Sequence, residues 1–320
     1  MAALDRIPAL ALGHYPTPIE ELVRLRDAIG GGPRLFIKRD DAISFAFGGN
    51  KVRKLEVVAA RAVDEGADTL ITAGGIQSNH ARVTAATAAR LGMTCVLIAN
   101  GTPPEHPTGN ALLDRLLGAE VIYVSSRQER GPAMEEVAET MSRKGRRPFV
   151  IPIGASTPLG AIGFVRAINE LRRQIPAPDF IVHATSSGGT QAGLVAGCKL
   201  LGLRTRVVGI SADEPAAALE AQILNVTRGI GELLAVGADL LSTGPPIEVD
   251  DRYVGDGYGT PTPLSREAMD LLARHEAIFL DHTYTAKAMA GLIDGVRSGR
   301  FASAQSILFW HTGGQVGLFA

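Results

Sequence analysis

An α/β fold of parallel, twisted sheets flanked by helices, divided between two lobes, is predicted by three observations. Short β-branched runs alternate along the chain with longer helical patterns, the cadence of right-handed βαβ crossovers. Most of these runs are bounded by Gly, Pro, Ser or Thr. The 320 residues also exceed what one hydrophobic core organises, since single cores stop growing at roughly 250–300 residues.

The strands are expected, in order, at 35–38, 69–73, 95–99, 121–124, 149–153, 180–184, 206–210 and 307–311. Each is an apolar, β-branched run of ordinary strand length. Helices are expected between them at 51–65, 78–91, 110–117, 134–144, 159–173, 190–201, 215–223 and 265–275. Asn50 is a good N-cap for the first of these, and Ser78 or Asn79 for the second. The polar stretches 101–107 and 125–131 read as surface loops. Crossings before 47–50 and at 154–158 would make the middle of the chain one lobe and its two ends the other. No repeat or low-complexity tract interrupts the pattern.

Composition excludes several classes of function. Lys and Arg number 32 against 33 Asp and Glu, a net charge of −1, which is no footprint for nucleic acid. The longest apolar runs fall far short of the roughly 20 residues that span a bilayer, and no basic-then-apolar leader opens the chain, so a cytoplasmic location is expected. The two cysteines, Cys95 and Cys198, lie in apolar or small-residue segments without CxxC spacing, and ordinary buried thiols are expected. No metal site is expected.

Chemistry concentrates in three glycine-rich turns. In Gly48-Gly49-Asn50-Lys51, the helix that follows carries Lys51 and Lys54 three residues apart, on a face continued inward by Leu55 and Val58. The helix dipole and the neighbouring ammonium both disfavour protonation there, so Lys51 is expected to have a lowered pKa and to act as a nucleophile toward a carbonyl compound. Two lysines snorkelling off a helix start is the plainer alternative. The second turn, Gly74-Gly75-Ile76-Gln77-Ser78-Asn79-His80, suits a small carboxylate at a helix N-terminus. The third, Ser186-Ser187-Gly188-Gly189-Thr190, suits a phosphate monoester. Neither GxGxxG, GxxxxGK[ST] nor GxSxG occurs, which disfavours dehydrogenase, P-loop and hydrolase readings. One activated lysine, one phosphate cup and one carboxylate cup together describe pyridoxal 5′-phosphate holding an amino acid.

These residues resemble the fold-type II pyridoxal-phosphate enzymes, in the branch of D-cysteine desulfhydrase and 1-aminocyclopropane-1-carboxylate deaminase. The similar segments are Ile37-Lys38-Arg39-Asp40-Asp41, GGNKVRKLE from Gly48 to Glu56, Gln77-Ser78-Asn79-His80, Ser187-Gly188-Gly189-Thr190, Tyr284-Thr285-Ala286-Lys287 and His311-Thr312-Gly313-Gly314. They cover nearly the whole chain in order. The resemblance implies a tryptophan synthase β-like fold, with residues 1–46 and 156–320 as the large cofactor-binding domain and 47–155 as a small mobile one. It implies Lys51 as the Schiff-base lysine and Cα base, with Ser187, Gly188, Gly189 and Thr190 holding the phosphate and Lys54 adding charge. Asn79 would bond the phenolic oxygen of the ring, and Asn50 belongs with the cofactor residues. Gln77, Ser78, Asn79 and His80 would take the substrate carboxylate. Tyr284 and Tyr258 would be active-site tyrosines, although Tyr258 also reads as an exposed loop residue between two glycines. A small amino-acid substrate and a homodimer are implied as well.

Within the branch, Thr285 and Thr312 match the desulfhydrase pattern, where the deaminases have Glu and Leu. A hydroxyl beside the pyridine nitrogen gives a weaker electron sink than a carboxylate, and β-elimination needs less of one. The expected activity is therefore D-cysteine desulfhydrase, yielding pyruvate, ammonia and sulfide. L-cysteate sulfo-lyase is the alternative, on the strength of His282, which otherwise reads as a surface histidine. A deaminase, a racemase and a non-catalytic small-anion-binding protein stand further off. The segments Asp281-His282-Thr283-Tyr284 and Gly154-Ala155-Ser156-Thr157-Pro158 depart from the branch pattern and are expected to line or buttress the substrate side.

Overall fold

The computed structural model of the protein describes residues 2–237 and 244–320. Two sheets organise it. The larger has the order β1 (Ile19–Glu21), β2 (Arg34–Arg39), β10 (Ser306–His311), β7 (Phe180–Thr185), β8 (Arg206–Ser211) and β9 (Glu248–Asp250). Only β1 runs antiparallel to its neighbour. The smaller sheet is wholly parallel, in the order β5 (Glu120–Val124), β4 (Thr94–Asn100), β3 (Thr69–Gly75) and β6 (Pro148–Val150).

Successive side chains of a strand point to opposite faces, and here both faces are covered. Ile37, Val182 and Phe309 pack on one side of the larger sheet with Leu272 of the helix Pro263–Glu276 and Ile293 of the helix Thr285–Arg297. Ile181, Leu308 and Trp310 pack on the other with Phe164 of the helix Pro158–Leu171 and Leu194 of the helix Gly189–Leu200. The smaller sheet divides in the same way, Leu70, Cys95 and Leu97 on one face and Ile71, Val96 and Ile98 on the other. Both cysteines are free and buried, and burial pushes each thiol up to about 12, which leaves them inert. Among the described residues no helix is long and apolar enough to cross a membrane.

The α/β class with helix-flanked parallel sheets is as expected, and several elements differ. The strand expected at 149–153 ends at Val150, because Pro152 has no N–H to give a ladder and Gly154 turns the chain at φ +72. Strands β1 and β9 and the helix Val23–Ala28 are too short to show a period. The helix expected at 215–223 runs from Ala216 to Leu233, through Gly229 and Gly231. Glycine normally weakens a helix, yet a Cβ at Gly229 would lie 2.4 Å from Cγ of Pro158, so close helix packing requires it.

Candidate active site

A cavity of about 400 Å³ opens where the carboxyl ends of β3, β4 and β7 meet the helices that follow them, the place where open parallel sheets bind ligands. The helix α3 (Asn50–Asp64) enters it through Gly49, at φ +100, where a Cβ would stand 2.9 Å from the Thr312 carbonyl. The N–H of Asn50 donates to that same carbonyl at 3.0 Å. Asn50 is not the N-cap expected of it. Gly49 holds that position, and the Asn50 amide reaches across to donate to Thr190 Oγ1 at 3.0 Å, joining the two helix starts.

Lys51 lines the cavity without a hydrogen-bond partner among the described residues, and its pKa is lowered to about 8. The direction is the expected one, but the cause is burial. Lys54 is fully buried beyond the cavity wall, donating to Gly154 O (3.1 Å) and Ser156 Oγ (3.2 Å). Burial first and Lys51 second hold its pKa well below the ordinary lysine value.

The helix α4 (Asn79–Leu91) supplies a second wall. Ser78 caps it, accepting from the N–H of Ala81 at 3.2 Å. Asn79 Oδ1 accepts from Arg82 and Asn110 at 2.9 and 3.0 Å, and its side chain lines the cavity. His80 is 3% exposed, and its tautomer follows from a relay. Thr72 Oγ1 donates to Ile151 O at 2.7 Å and must therefore accept from His80 Nε2 at 2.9 Å, leaving Nδ1 an unprotonated, unpartnered acceptor. Burial, then Lys51 and Lys54, press its pKa well below the usual histidine value. Gln77 departs from its expected place in the carboxylate cup. Its amide spans Thr108 O (3.1 Å) and the N–H of Asn110 (2.8 Å), tying this turn to the helix Gly109–Leu116, and it does not line the cavity.

The third turn opens at the start of α8 (Gly189–Leu200), which has no side-chain cap, so its first N–H groups are available to an anion. Ser186, Ser187, Gly188 and Thr190 line the cavity. Gly189 stands behind them, where a Cβ would lie 2.7 Å from Ser156 Cα. Ser187 Oγ and Ser156 Oγ are 2.7 Å apart, which connects the cup to Lys54. Of the segment Gly154 to Pro158, Gly154 lines the cavity as expected, Ser156 braces this cup, and Thr157 caps the next helix. Thr185 Oγ1 is buried beside the cup with no partner.

Opposite these groups, Tyr258 and Tyr284 place their hydroxyls 2.5 Å apart, with rings edge to face at 5.6 Å. Burial raises the pKa of both, and each stays protonated. Tyr258 is 38% exposed, so both features anticipated for it, loop exposure and a place in the cavity, are present. Thr312 lines the cavity, whereas Thr285 is drawn away, donating to Asp281 Oδ1 at 2.6 Å. Asp281 also accepts from the N–H groups of Thr283, Tyr284 and Thr285, and so buttresses the helix start that carries Tyr284. His282 does not line the cavity.

Four charged residues went unread. Arg127 and Arg130 come from the polar stretch 125–131, and Asp213 and Glu214 follow β8. All lie just past the carboxyl ends of strands, which was the available signal. The Arg127 guanidinium lies over the Tyr258 ring at 4.9 Å and 3.9 Å from Asp213, while Arg130 donates to Arg127 O at 3.1 Å and has no carboxylate partner among the described residues.

The donor set fits a phosphate monoester joined to a carbonyl-bearing ring. An uncapped helix start, three hydroxyls and an orphan buried threonine suit the dianion, and an unpaired, partly neutral lysine suits the carbonyl. Among solved structures, the chain is similar to an ACC deaminase homologue at 37% identity and a TM-score of 0.91, with 99% of this chain and 95% of that one covered. It shares the fold of the processed form of threonine deaminase isoform 2 from Solanum lycopersicum, at 17% identity and a TM-score of 0.70 over 98% and 83% of the two chains. It shares it also with a pyridoxal 5′-phosphate-dependent aspartate racemase, at 19% identity and 0.69 over 98% and 93%. A family model described as pyridoxal-phosphate dependent enzyme matches residues 10–313, and with nearly the whole chain so matched, the protein belongs to that family of fold-type II enzymes.

Proposed function

We propose that this enzyme is a β-elimination lyase acting on a small amino acid, with D-cysteine as substrate and pyruvate, ammonia and sulfide as products. The carrying observation is that one cavity sets an unpaired Lys51 of pKa about 8 against a pair of protonated tyrosines. Near neutrality a useful fraction of Lys51 is the free amine, a base for the Cα proton. Tyr258 and Tyr284 keep their protons, so one can donate to the sulfur as the Cα proton reaches Lys51 and the Cβ–S bond breaks toward sulfur. Pyridoxal phosphate, held by Ser187, Gly188, Gly189 and Thr190 with Lys54 behind them, supplies the electron withdrawal that acidifies Cα. Ser78, Asn79 and the backbone at His80 orient the carboxylate, and Thr312 stands as the hydroxyl near the ring. We assign residues 47–155, which contain the smaller sheet, as the domain that moves on substrate binding.

The arginines favour a second reading. Arg130, without a carboxylate partner, faces the same cavity as the tyrosines, and a substrate with an anionic β-substituent, such as L-cysteate, would give it one. Assay of the purified holoenzyme on D-cysteine, L-cysteine, L-cysteate and the cyclopropane amino acid separates these readings. Pyruvate with sulfide from D-cysteine supports the first. Pyruvate with sulfite from L-cysteate, lost in Arg130→Gln, installs the second. 2-Oxobutyrate from the cyclopropane substrate alone would overturn both.

A further inference from the structure

Lys287 lies in the first turn of the helix Thr285–Arg297, fully buried, and takes no part in the chemistry above. Its Nζ donates to three main-chain carbonyls, Ala212 at 3.0 Å, Val254 at 2.8 Å and Gly257 at 2.8 Å. A neutral amine has two N–H donors and an ammonium has three. Three carbonyls and no hydrogen-bonded carboxylate therefore describe a cation solvated by backbone oxygens, much as a channel filter replaces a hydration shell.

The three oxygens belong to two segments, and each leads into the cavity. Ala212 directly precedes Asp213 and Glu214, and Gly257 directly precedes Tyr258. Tyr284 lies three residues before Lys287 on the same helix start. The loop that carries Tyr258 contains Gly255, Gly257 and Gly259, all at positive φ, so its backbone has little preference of its own. It needs an outside anchor to hold one tyrosine hydroxyl 2.5 Å from the other.

We infer that Lys287 is a positioning residue, a tethered ammonium that draws the segments at 212 and 254–257 together and so sets Tyr258 against Tyr284. An inert core lysine would make no specific demand on a replacement. A tethered cation would be replaceable by a free one of similar size.

The test compares wild type with Lys287→Ala in choline, sodium, potassium and ammonium chloride at equal ionic strength. It reads turnover of whichever amino acid the enzyme accepts, amide hydrogen exchange over residues 254–259, and the unfolding midpoint. In choline, Lys287→Ala is expected to lose about 10–100-fold in kcat, the scale of a misplaced catalytic group, and to exchange faster in that loop. Ammonium and potassium should restore at least tenfold of the activity, slow the exchange and raise the midpoint, each saturably. Sodium should do less, and wild type should respond to none of them. Lys287→Met, which fills the space without charge, should lose activity and resist rescue. Should the alanine variant fold only with ammonium present, that dependence is itself the rescue. Wild-type activity in Lys287→Met overturns the inference, as does a loss in Lys287→Ala that no cation reverses.

Discussion

Two sides of one helix hold buried cations under opposite rules. On the side of α3 that faces the cavity, Lys51 has no partner and Lys54 has only neutral ones. On the other side, Arg53 donates to Asp40 through Nε and Nη2, both at 2.8 Å, and to Glu170 at 2.8 Å, with Trp310 Nε1 also donating to Asp40 at 2.7 Å. Burial works against charge in both places. For Arg53 the two carboxylates outweigh it and the pKa rises, and for the lysines nothing does and the pKa falls. A paired charge is fixed and fastens α3 to the helix Pro158–Leu171. An unpaired one is left free to exchange its proton.

The comparison breaks most visibly at Lys51. Lys51→Ala is expected to lower turnover by about 10³-fold or more, since among the described residues no other lysine lines the cavity to take the proton. Steady-state kinetics checks this, and activity within tenfold of wild type would remove Lys51 from the chemistry. Arg53→Ala should do the reverse, costing about 3–5 kcal/mol of stability by leaving Asp40 and Glu170 buried and unpaired. Urea unfolding measures it, and a cost below about 1 kcal/mol would mean that the network is not what holds the helix.

How much of this was legible in the sequence follows the same division. The turns at 48–51, 74–80 and 186–190 each advertise a strand end, a glycine and a helix start, a signal confined to a few consecutive residues. The Asn50–Thr190 and Ser156–Ser187 contacts join positions 140 and 31 residues apart, so no local pattern announces them. Gln77 was misplaced for a related reason. Its neighbours in sequence face the cavity, yet a helix 33 residues on offers its amide a better pair of partners. Arg127 and Arg130 looked like loop polarity because the contact of Arg127 with the Tyr258 ring joins parts of the chain far apart in sequence. The helix Thr285–Arg297 was not among those expected, only the segment Tyr284 to Lys287 at its start standing out, and the cation tripod of Lys287 depends on loops 30 to 75 residues away.

An intermediate case sharpens the rule. Arg82 donates to Asn79, Asn110 and the Gly48 carbonyl, all neutral, while the buried Asp114 has one oxygen without a partner. Burial raises the Asp114 pKa to about 7 despite the attraction of Arg82. A charge nearby, without a hydrogen bond, does not hold a buried carboxylate ionised. Because the folded pKa lies above the unfolded one, the stability this group contributes is complete below about pH 4 and is lost as pH rises through 7. The loss should be on the order of 2–4 kcal/mol in unfolding experiments on the apoprotein, and Asp114→Asn should flatten that part of the profile. An unchanged slope would mean that Asp114 titrates as an ordinary carboxylate.

The smallest effect concerns Lys51 itself, and it has the opposite sign. Its folded pKa of about 8 lies below the value of 10.5 for a free lysine side chain, so between these the unfolded chain binds more protons and stability rises with pH. Below pH 8 the protein carries the whole cost of an unpaired ammonium, roughly 1–2 kcal/mol once water reaching the cavity wall is allowed for. Lys51→Met should therefore be more stable than wild type at pH 7, with the gap closing toward pH 10. Equal stability at every pH would imply that a partner or water solvates the amine, and would raise its proton affinity beyond use as a base. A gap that closes where expected ties the loss of stability to the feature that makes Lys51 reactive, since burial without a compensating carboxylate is the cause of both.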